Sequence, residues 1–359
     1  MLSQAQAPPG ARRLTHLLGI ELPLIQAPMA GSQGSALAVA VCNAGGLGSL
    51  PAAMLGPEAL HEELAAIRRQ TARPYNVNFF CHTPPARDAA REAAWREALA
   101  PFCAEFGLDA TQPPAPGPAR VPFDDVAADV LEAFRPPVVS FHFGLPSAAL
   151  LERVRSWGAK VLSSATTVEE ALWLQARGVD AVIAQGLEAG GHRGMFLDTD
   201  IATQVGTLPL VSQLVGVLEV PVVAAGGIAS RQAVATALAL GAAGVQVGTA
   251  YLLCPEATTS AVHRAALKGD AEGTDPRVTA LTNVYTGRPA RGIVNRLMRE
   301  LGPISAVAPA FPLATAAVAP LRAAAERAGS GAFSPLWSGQ DTSGCRDVPA
   351  AQLTRELAG

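Results

Sequence analysis

Asp180-Ala-Val-Ile-Ala-Gln-Gly-Leu-Glu-Ala-Gly-Gly-His-Arg-Gly194 joins an apolar run to a glycine-rich, histidine-bearing one. Asp180 to Ala184 reads as a buried strand, so the polar half lies at that strand's C-terminal end. Parallel α/β architectures bind ligands and do chemistry at that end. Glycines let the backbone approach a ligand closely, and His192 exchanges protons near neutral pH.

The same signature recurs along the chain. Short apolar runs occur at Leu22–Met29, Leu47–Pro51, Tyr75–Phe80, Val138–Phe143, Lys160–Thr166, Ala181–Gln185, Val220–Ala225 and Gly244–Tyr251. Helical patterns lie between most of them: Ser35–Asn43, Gly56–Gln70, Ser147–Trp157, Thr167–Arg177 and Ser230–Leu240, several opening on a Ser or Thr cap. Eight strands separated mainly by helices predict a (β/α)8 TIM barrel, with a doubly wound sheet as the alternative. Residues 15–254 and 310–359 are assigned to the barrel and its closing C-terminal segment. Residues 255–309 are an insertion after the eighth strand that walls the substrate cavity, and 83–137 an excursion after the third, its stretch Thr111–Pro118 a loop.

Composition narrows the class. The 359 residues are 49% hydrophobic and 16% charged, enough for a large core and against disorder. A net charge of -3 argues against a nucleic-acid surface. Five scattered cysteines without CxxC spacing indicate neither a disulfide framework nor zinc, and fit a reducing cytoplasm. No signal peptide is evident. The charge-free stretch Gln232–Pro255 is interrupted by glycines and reads as helix, turn and buried strand rather than as a membrane span. Lys160 falls at the start of a strand, the wrong end for a Schiff base, and Lys268 in the insertion, so an aldolase mechanism is disfavoured.

The chemistry-bearing residues fall at strand ends. Val222-Val-Ala-Ala-Gly-Gly-Ile228 and Gly244-Val-Gln-Val-Gly-Thr249 end the seventh and eighth strands. Loops there commonly form a phosphate site from backbone N–H groups; the plainer alternative is that the glycines only permit tight turns. Pro28-Met29 ends the first strand, where a rigid backbone and a soft side chain suit a flat ring, or simple packing. Asn78 ends the third and suits either the edge of a heterocycle or a cap to loop backbone. His142 shares a face with Ser140 and reads either as a satisfied core residue or as part of a substrate cavity. His82 and His192 lie on loops, with no carboxylate in a metal-ligand spacing, so no metal centre is expected. His192, after a double glycine, is the candidate catalytic base; Glu188 reads as a structural carboxylate pairing with Arg193 or with loop amides.

Taken together, Gln26-Ala-Pro-Met-Ala-Gly31, Ala44-Gly-Gly-Leu-Gly48, Asn76-Val-Asn-Phe-Phe80, Gln185–Gly194, Ala224-Ala-Gly-Gly-Ile228 and Gln246-Val-Gly-Thr249 resemble the nitronate monooxygenase family, formerly called 2-nitropropane dioxygenases. The QxPMxG form of the first motif is closer to its class I enzymes than to related quinone or enoyl-carrier-protein reductases. The resemblance implies an FMN-dependent barrel that oxidises alkyl nitronates or nitroalkanes with O2 to a carbonyl product and nitrite. It places Ala27, Pro28, Met29, Asn78, Gln185, Gly190, Gly191, Gly226, Gly227, Gln246, Val247, Gly248 and Thr249 around FMN, and His192 as the base that deprotonates a nitroalkane. His142, Tyr285 and Arg288 are the substrate-cavity candidates, with Arg291 beside them. The Pro/Ala-rich 83–137 matches no family motif. The competing reading on the same scaffold is an NAD(P)H-dependent quinone or enoyl-thioester reductase, against which the lack of a separate GxGxxG fold weighs. A protein that merely binds flavin or phosphate would have no use for His192.

Overall fold

The computed structural model describes residues 8–111, 120–269 and 277–359. Eight parallel strands form one ring: β1 (Leu24–Gln26), β2 (Gly48–Pro51), β3 (Tyr75–Phe80), β4 (Val138–His142), β5 (Lys160–Ala165), β6 (Ala181–Gln185), β8 (Val222–Ala225) and β9 (Gly244–Val247). β1 pairs with β9, and an Ile25–Leu47 bridge closes the circle against β2. The chain is a TIM barrel.

Alternation along the strands builds two cores. Val77, Phe79, Val139, Phe141, Val182, Ala184, Val245 and Val247 face outward into a shell of helices. Ile25, Leu47, Val138, Leu162, Ile183 and Val223 fill the lower barrel. Helix α1 (Pro9–Leu18) plugs that end with Leu14 and Leu18. Higher in the interior the strands turn polar, with Asn76, Asn78, Ser140, His142, Ser164, Gln185 and Gln246 pointing toward the open C-terminal mouth. Apolar burial thus stabilises one end of the barrel and leaves chemistry to the other.

The outer helices are α2 (Ser35–Asn43), α3 (Pro57–Gln70), α5 (Asp125–Phe134), α6 (Ala148–Ser156), α7 (Val168–Ala176), α8 (Thr207–Val217) and α9 (Arg231–Ala239). Ser147, Thr167 and Ser230 cap α6, α7 and α9 by accepting from the N–H groups of Leu150, Glu170 and Ala233. After β9, α13 (Ala350–Ala358) packs between α2 and α9 and completes the ring. Tyr251 Oη and Thr354 Oγ1, 2.8 Å apart, fasten it.

Outside the barrel, α4 (Ala89–Glu105) packs on α12 (Ala314–Arg327), and Trp95, Phe102, Tyr285, Leu297 and Phe333 share a second core. α11 (Arg296–Glu300) contributes Leu297 and Met298 to it, and α10 (Ala261–Lys268) packs instead on the turn Thr249–Leu253.

Three expectations are corrected. The first strand is only Leu24–Gln26, because Pro28 removes a donor and the turn at Met29 begins at once. The eighth ends at Val247 rather than Tyr251: Gly248 leaves extended geometry, and Thr249–Leu253 winds into a 3-10 helix. His192 is not in a loop. With Gly191 it forms β7, which pairs with β11 (Ala290–Ile293), itself paired with β10 (Thr279–Thr282). Of the expected loop Thr111–Pro118, residues 112–118 lie outside the described residues.

Candidate active site

The open mouth of the barrel holds a cavity lined from every side of the ring. Ala27, Pro28, Met29, Asn78, His142, Gln185, Gly190, Gly191, His192, Gly226, Gly227, Gln246, Gly248 and Thr249 all line it. With Pro51 of β2 and Ser164 of β5, all eight barrel strand ends converge on one space. Three residues of the expected set stand apart. Val247 faces the helices and is 1% exposed, because strand alternation turns Gln246 inward and its neighbour outward. Tyr285 is sealed in the second core, its hydroxyl donating to Asn295 Oδ1 at 2.6 Å. Arg288 lies behind the wall: its guanidinium carbon sits 4.0 Å from the centre of the Phe143 ring, and it donates to Met195 O.

One end of the cavity is backbone. Gly226 and Gly227 have φ of 122° and 64°, conformations that L side chains avoid, and they turn the chain into the N-terminus of α9. Gly248 and Thr249 lie beside them, and Thr249 Oγ1 accepts from Gly339 N–H at 2.9 Å. Glu188 braces this region. Its Oε2 accepts from Thr207 N–H and Oγ1–H at 2.8 and 2.7 Å, so it caps α8 and is structural. Arg193 is not its partner in a hydrogen bond. That guanidinium, fully buried, donates instead to the carbonyls of Gln185 and Gly186 and to Gln204 Oε1.

The middle of the cavity has the polarity of a heterocycle's edge. Asn78 spends its amide N–H groups on Ser140 Oγ and O, leaving Oδ1 without a donor among the described residues. Gln246 Oε1 is buried with no partner among the described residues, a costly state unless a ligand donates to it. The Pro28–Met29 turn is pinned from behind: Gln33 Oε1 accepts from Met29 N–H at 3.2 Å and from Gln26 Nε2 at 2.6 Å.

The other end belongs to His192. Its carbonyl accepts from Gln185 Nε2 at 2.9 Å and from His142 Nε2 at 3.2 Å. A carbonyl only accepts, so His142 Nε2 carries a proton and Nδ1 takes the Ser164 hydroxyl proton at 2.5 Å. His142 is thus a neutral strut under the His192 backbone. Gln185 does likewise, its Oε1 accepting from Gly194 N–H at 2.7 Å. The His192 ring meets Thr286 Oγ1 at 2.9 Å through Nε2 and stands 5.2 Å from Phe311 and 5.5 Å from Trp337, centre to centre. Burial pushes its pKa well below 6.5, and Arg120, His142, Arg288 and His82 push it further. At neutral pH the imidazole is uncharged and able to accept a proton.

Sequence reading missed Arg120, Thr286, Phe80 and Trp337. Arg120, Phe80 and Trp337 line the cavity, and Thr286 touches His192 from behind. Phe80 was legible as the inward end of β3; the others come from irregular segments whose period carries no direction. Among the described residues no group of His, Cys, Asp and Glu is placed to hold a metal ion, and no helix is long and apolar enough to cross a membrane.

Comparison with known proteins agrees with this geometry. The family described as nitronate monooxygenase matches residues 11–359. The chain is 44% identical to a nitronate monooxygenase of Pseudomonas aeruginosa, covering 96% of this chain and 97% of that one. It is 41% identical to one of Paraburkholderia phytofirmans, covering 97% and 94%. Its fold superimposes on the crystal structure of a nitroalkane oxidase from Streptomyces ansochromogenes with a TM-score of 0.87, at 40% identity over 96% of each chain.

Proposed function

The chain belongs to the nitronate monooxygenase family of oxidoreductases, and on that premise we propose that it uses FMN and O2 to convert alkyl nitronates into a carbonyl product and nitrite. The observation that carries the reading is His192, an uncharged imidazole on a braced strand, facing a cavity with an unsatisfied amide oxygen at Gln246.

The residues present suit FMN. The backbone of Gly226, Gly227, Gly248 and Thr249 offers a cradle for its phosphate next to the start of α9. Gln246 Oε1 would accept from a ring N–H, Asn78 Oδ1 stands nearby, and Pro28 and Met29 supply an apolar face. When bound, the flavin supplies the electron chemistry and the reaction with oxygen.

The protein's own part is positioning and proton handling. A neutral nitroalkane loses its α-proton to His192; the imidazolium that results lies against the nitronate just formed. A preformed nitronate needs no base, and the same site only holds and orients it. Phe80, Phe311 and Trp337 keep water from the reacting carbon. We read residues 83–137 and 255–309 as the walls of the substrate cavity; Arg120 from the first lines it, while Thr286 from the second backs His192 without lining it.

Anaerobic mixing of the FMN-reconstituted protein tests this. Propionate 3-nitronate is expected to bleach the flavin absorbance and NADH to leave it unchanged. Bleaching by NADH alone would replace the oxidase reading with a pyridine-nucleotide-dependent reductase.

A further inference from the structure

Resting on the reading of this cavity as the substrate site, we propose that Arg120 is a specificity-determining residue that draws the anionic form of the substrate into the cavity and holds it beside His192. Nothing in the sequence marks it. Arg120 stands at the end of a Pro/Ala-rich run and enters the cavity wall from the excursion between β3 and β4.

Its donors are largely unspent. A guanidinium carries five N–H donors, and among the described residues Arg120 commits one, from Nη1 to Thr315 Oγ1 at 3.0 Å. The neighbouring arginines face elsewhere. Arg193 serves two carbonyls and an amide oxygen, Arg291 binds Leu187 O and Thr279, and Arg288, whose Nε has no partner among the described residues, lies on the Phe143 ring outside the cavity lining. Among the described residues no carboxylate pairs with Arg120, and the charge that acts on it is another cation, Arg322.

Charge at this end is accordingly one-sided. His82, His142 and His192 are all held neutral, with Arg288 and Arg120 contributing to the suppression at His82 and His192. Asp341 also lines the cavity, but its Oδ1 is taken by Ser343 N–H and Oγ–H, and it adjoins Cys345, whose thiol donates to Thr249 O at the backbone cradle. A half-buried guanidinium without a counterion is costly, and an incoming anion offsets that cost. A nitronate carries its charge on two coplanar oxygens, which match the planar fork of an arginine. A neutral nitroalkane gains far less from it.

Nitrate, a planar and unreactive oxyanion, is the direct probe. Calorimetric titration of nitrate into the FMN-reconstituted enzyme is expected to weaken roughly tenfold to a hundredfold in Arg120→Met, the loss typical of a charge-assisted hydrogen bond, and to recover in large part in Arg120→Lys. The KM of a preformed nitronate should rise in parallel in Arg120→Met, with that of the corresponding neutral nitroalkane little changed. Nitrate binding that survives Arg120→Met at wild-type strength, or KM values that rise equally for both substrates, would overturn the proposal. A loss of FMN affinity with intact nitrate binding would overturn it too, by assigning Arg120 to the cofactor. Arg120-dependent nitrate binding in an enzyme that does not turn over nitronate would uphold the anion site and defeat the functional reading instead.

Discussion

In the proposed reaction His192 serves as a base only because other residues decide what its ring can do. Its carbonyl is held by two side-chain donors, Gln185 and His142, and its Nε2 by Thr286. The ring is therefore fixed relative to the cavity, and burial among cations keeps it unprotonated. His192→Asn is expected to lower kcat/KM for a neutral nitroalkane by roughly a hundredfold or more, the usual worth of a positioned base. Preformed nitronates should lose much less. Steady-state kinetics on the two forms of one compound checks this, and equal losses would remove the proton-transfer role. His192 was legible from its place after a strand and a double glycine. Thr286 was not, because it lies 94 positions away in sequence and meets His192 only through the fold.

At the level of elements, the loop after β6 becomes the short strand β7 by borrowing a partner from the late insertion. Its two glycines then have different jobs. A Cβ on Gly190 would sit 2.5 Å from Gly339 N, whereas one on Gly191 meets nothing within 4 Å but sits at φ +73°. Gly190→Ala must push apart two packed backbones and is expected to cost about 1–3 kcal/mol as overpacking does. Gly191→Ala suffers left-handed strain alone, about 1–2 kcal/mol. Urea unfolding ranks the two; both glycines line the cavity, and FMN affinity should fall mainly in Gly190→Ala, because only there does the added Cβ displace the Ser338–Gly339 backbone beside Thr249. A second strained point is Phe143, a non-glycine residue with φ 70° just past β4. Packing with Phe80, Phe311 and Arg288 holds it there, and the reversal keeps its ring in the wall behind His192.

At the scale of the molecule, the buried histidines link stability to pH. Burial is the first cause in each case, and it lowers His82 to about 4, His142 to about 3 and His263 to about 4, from 6.5. Below pH 6.5 the unfolded chain takes up protons that the folded chain refuses until about pH 4. Stability is therefore complete above pH 6.5 and declines as the pH falls through that window. Each histidine contributes a slope approaching about 1.4 kcal/mol per pH unit. Denaturant unfolding is expected to give a clearly smaller free energy at about pH 5 than at about pH 7.5, with FMN saturating in both; a flat profile would show that these rings take up protons in the native state.

The sequence by itself determined the barrel, the ordinal of each strand and the end that carries the cavity. Those features rest on local signals: strand alternation, Ser and Thr caps, and glycines at strand ends. It also separated His192 from Glu188, although the partner of Glu188 proved to be Thr207 rather than Arg193. Only the tertiary structure decided that His192 lies in a strand, that Tyr285 turns away from the cavity, and that Arg120 enters it. The physical reason is range. Alternation and capping act over a few residues, whereas the pairing of β7 with β11 and the approach of Arg120 to His192 depend on how distant, irregular segments pack over the mouth of the barrel.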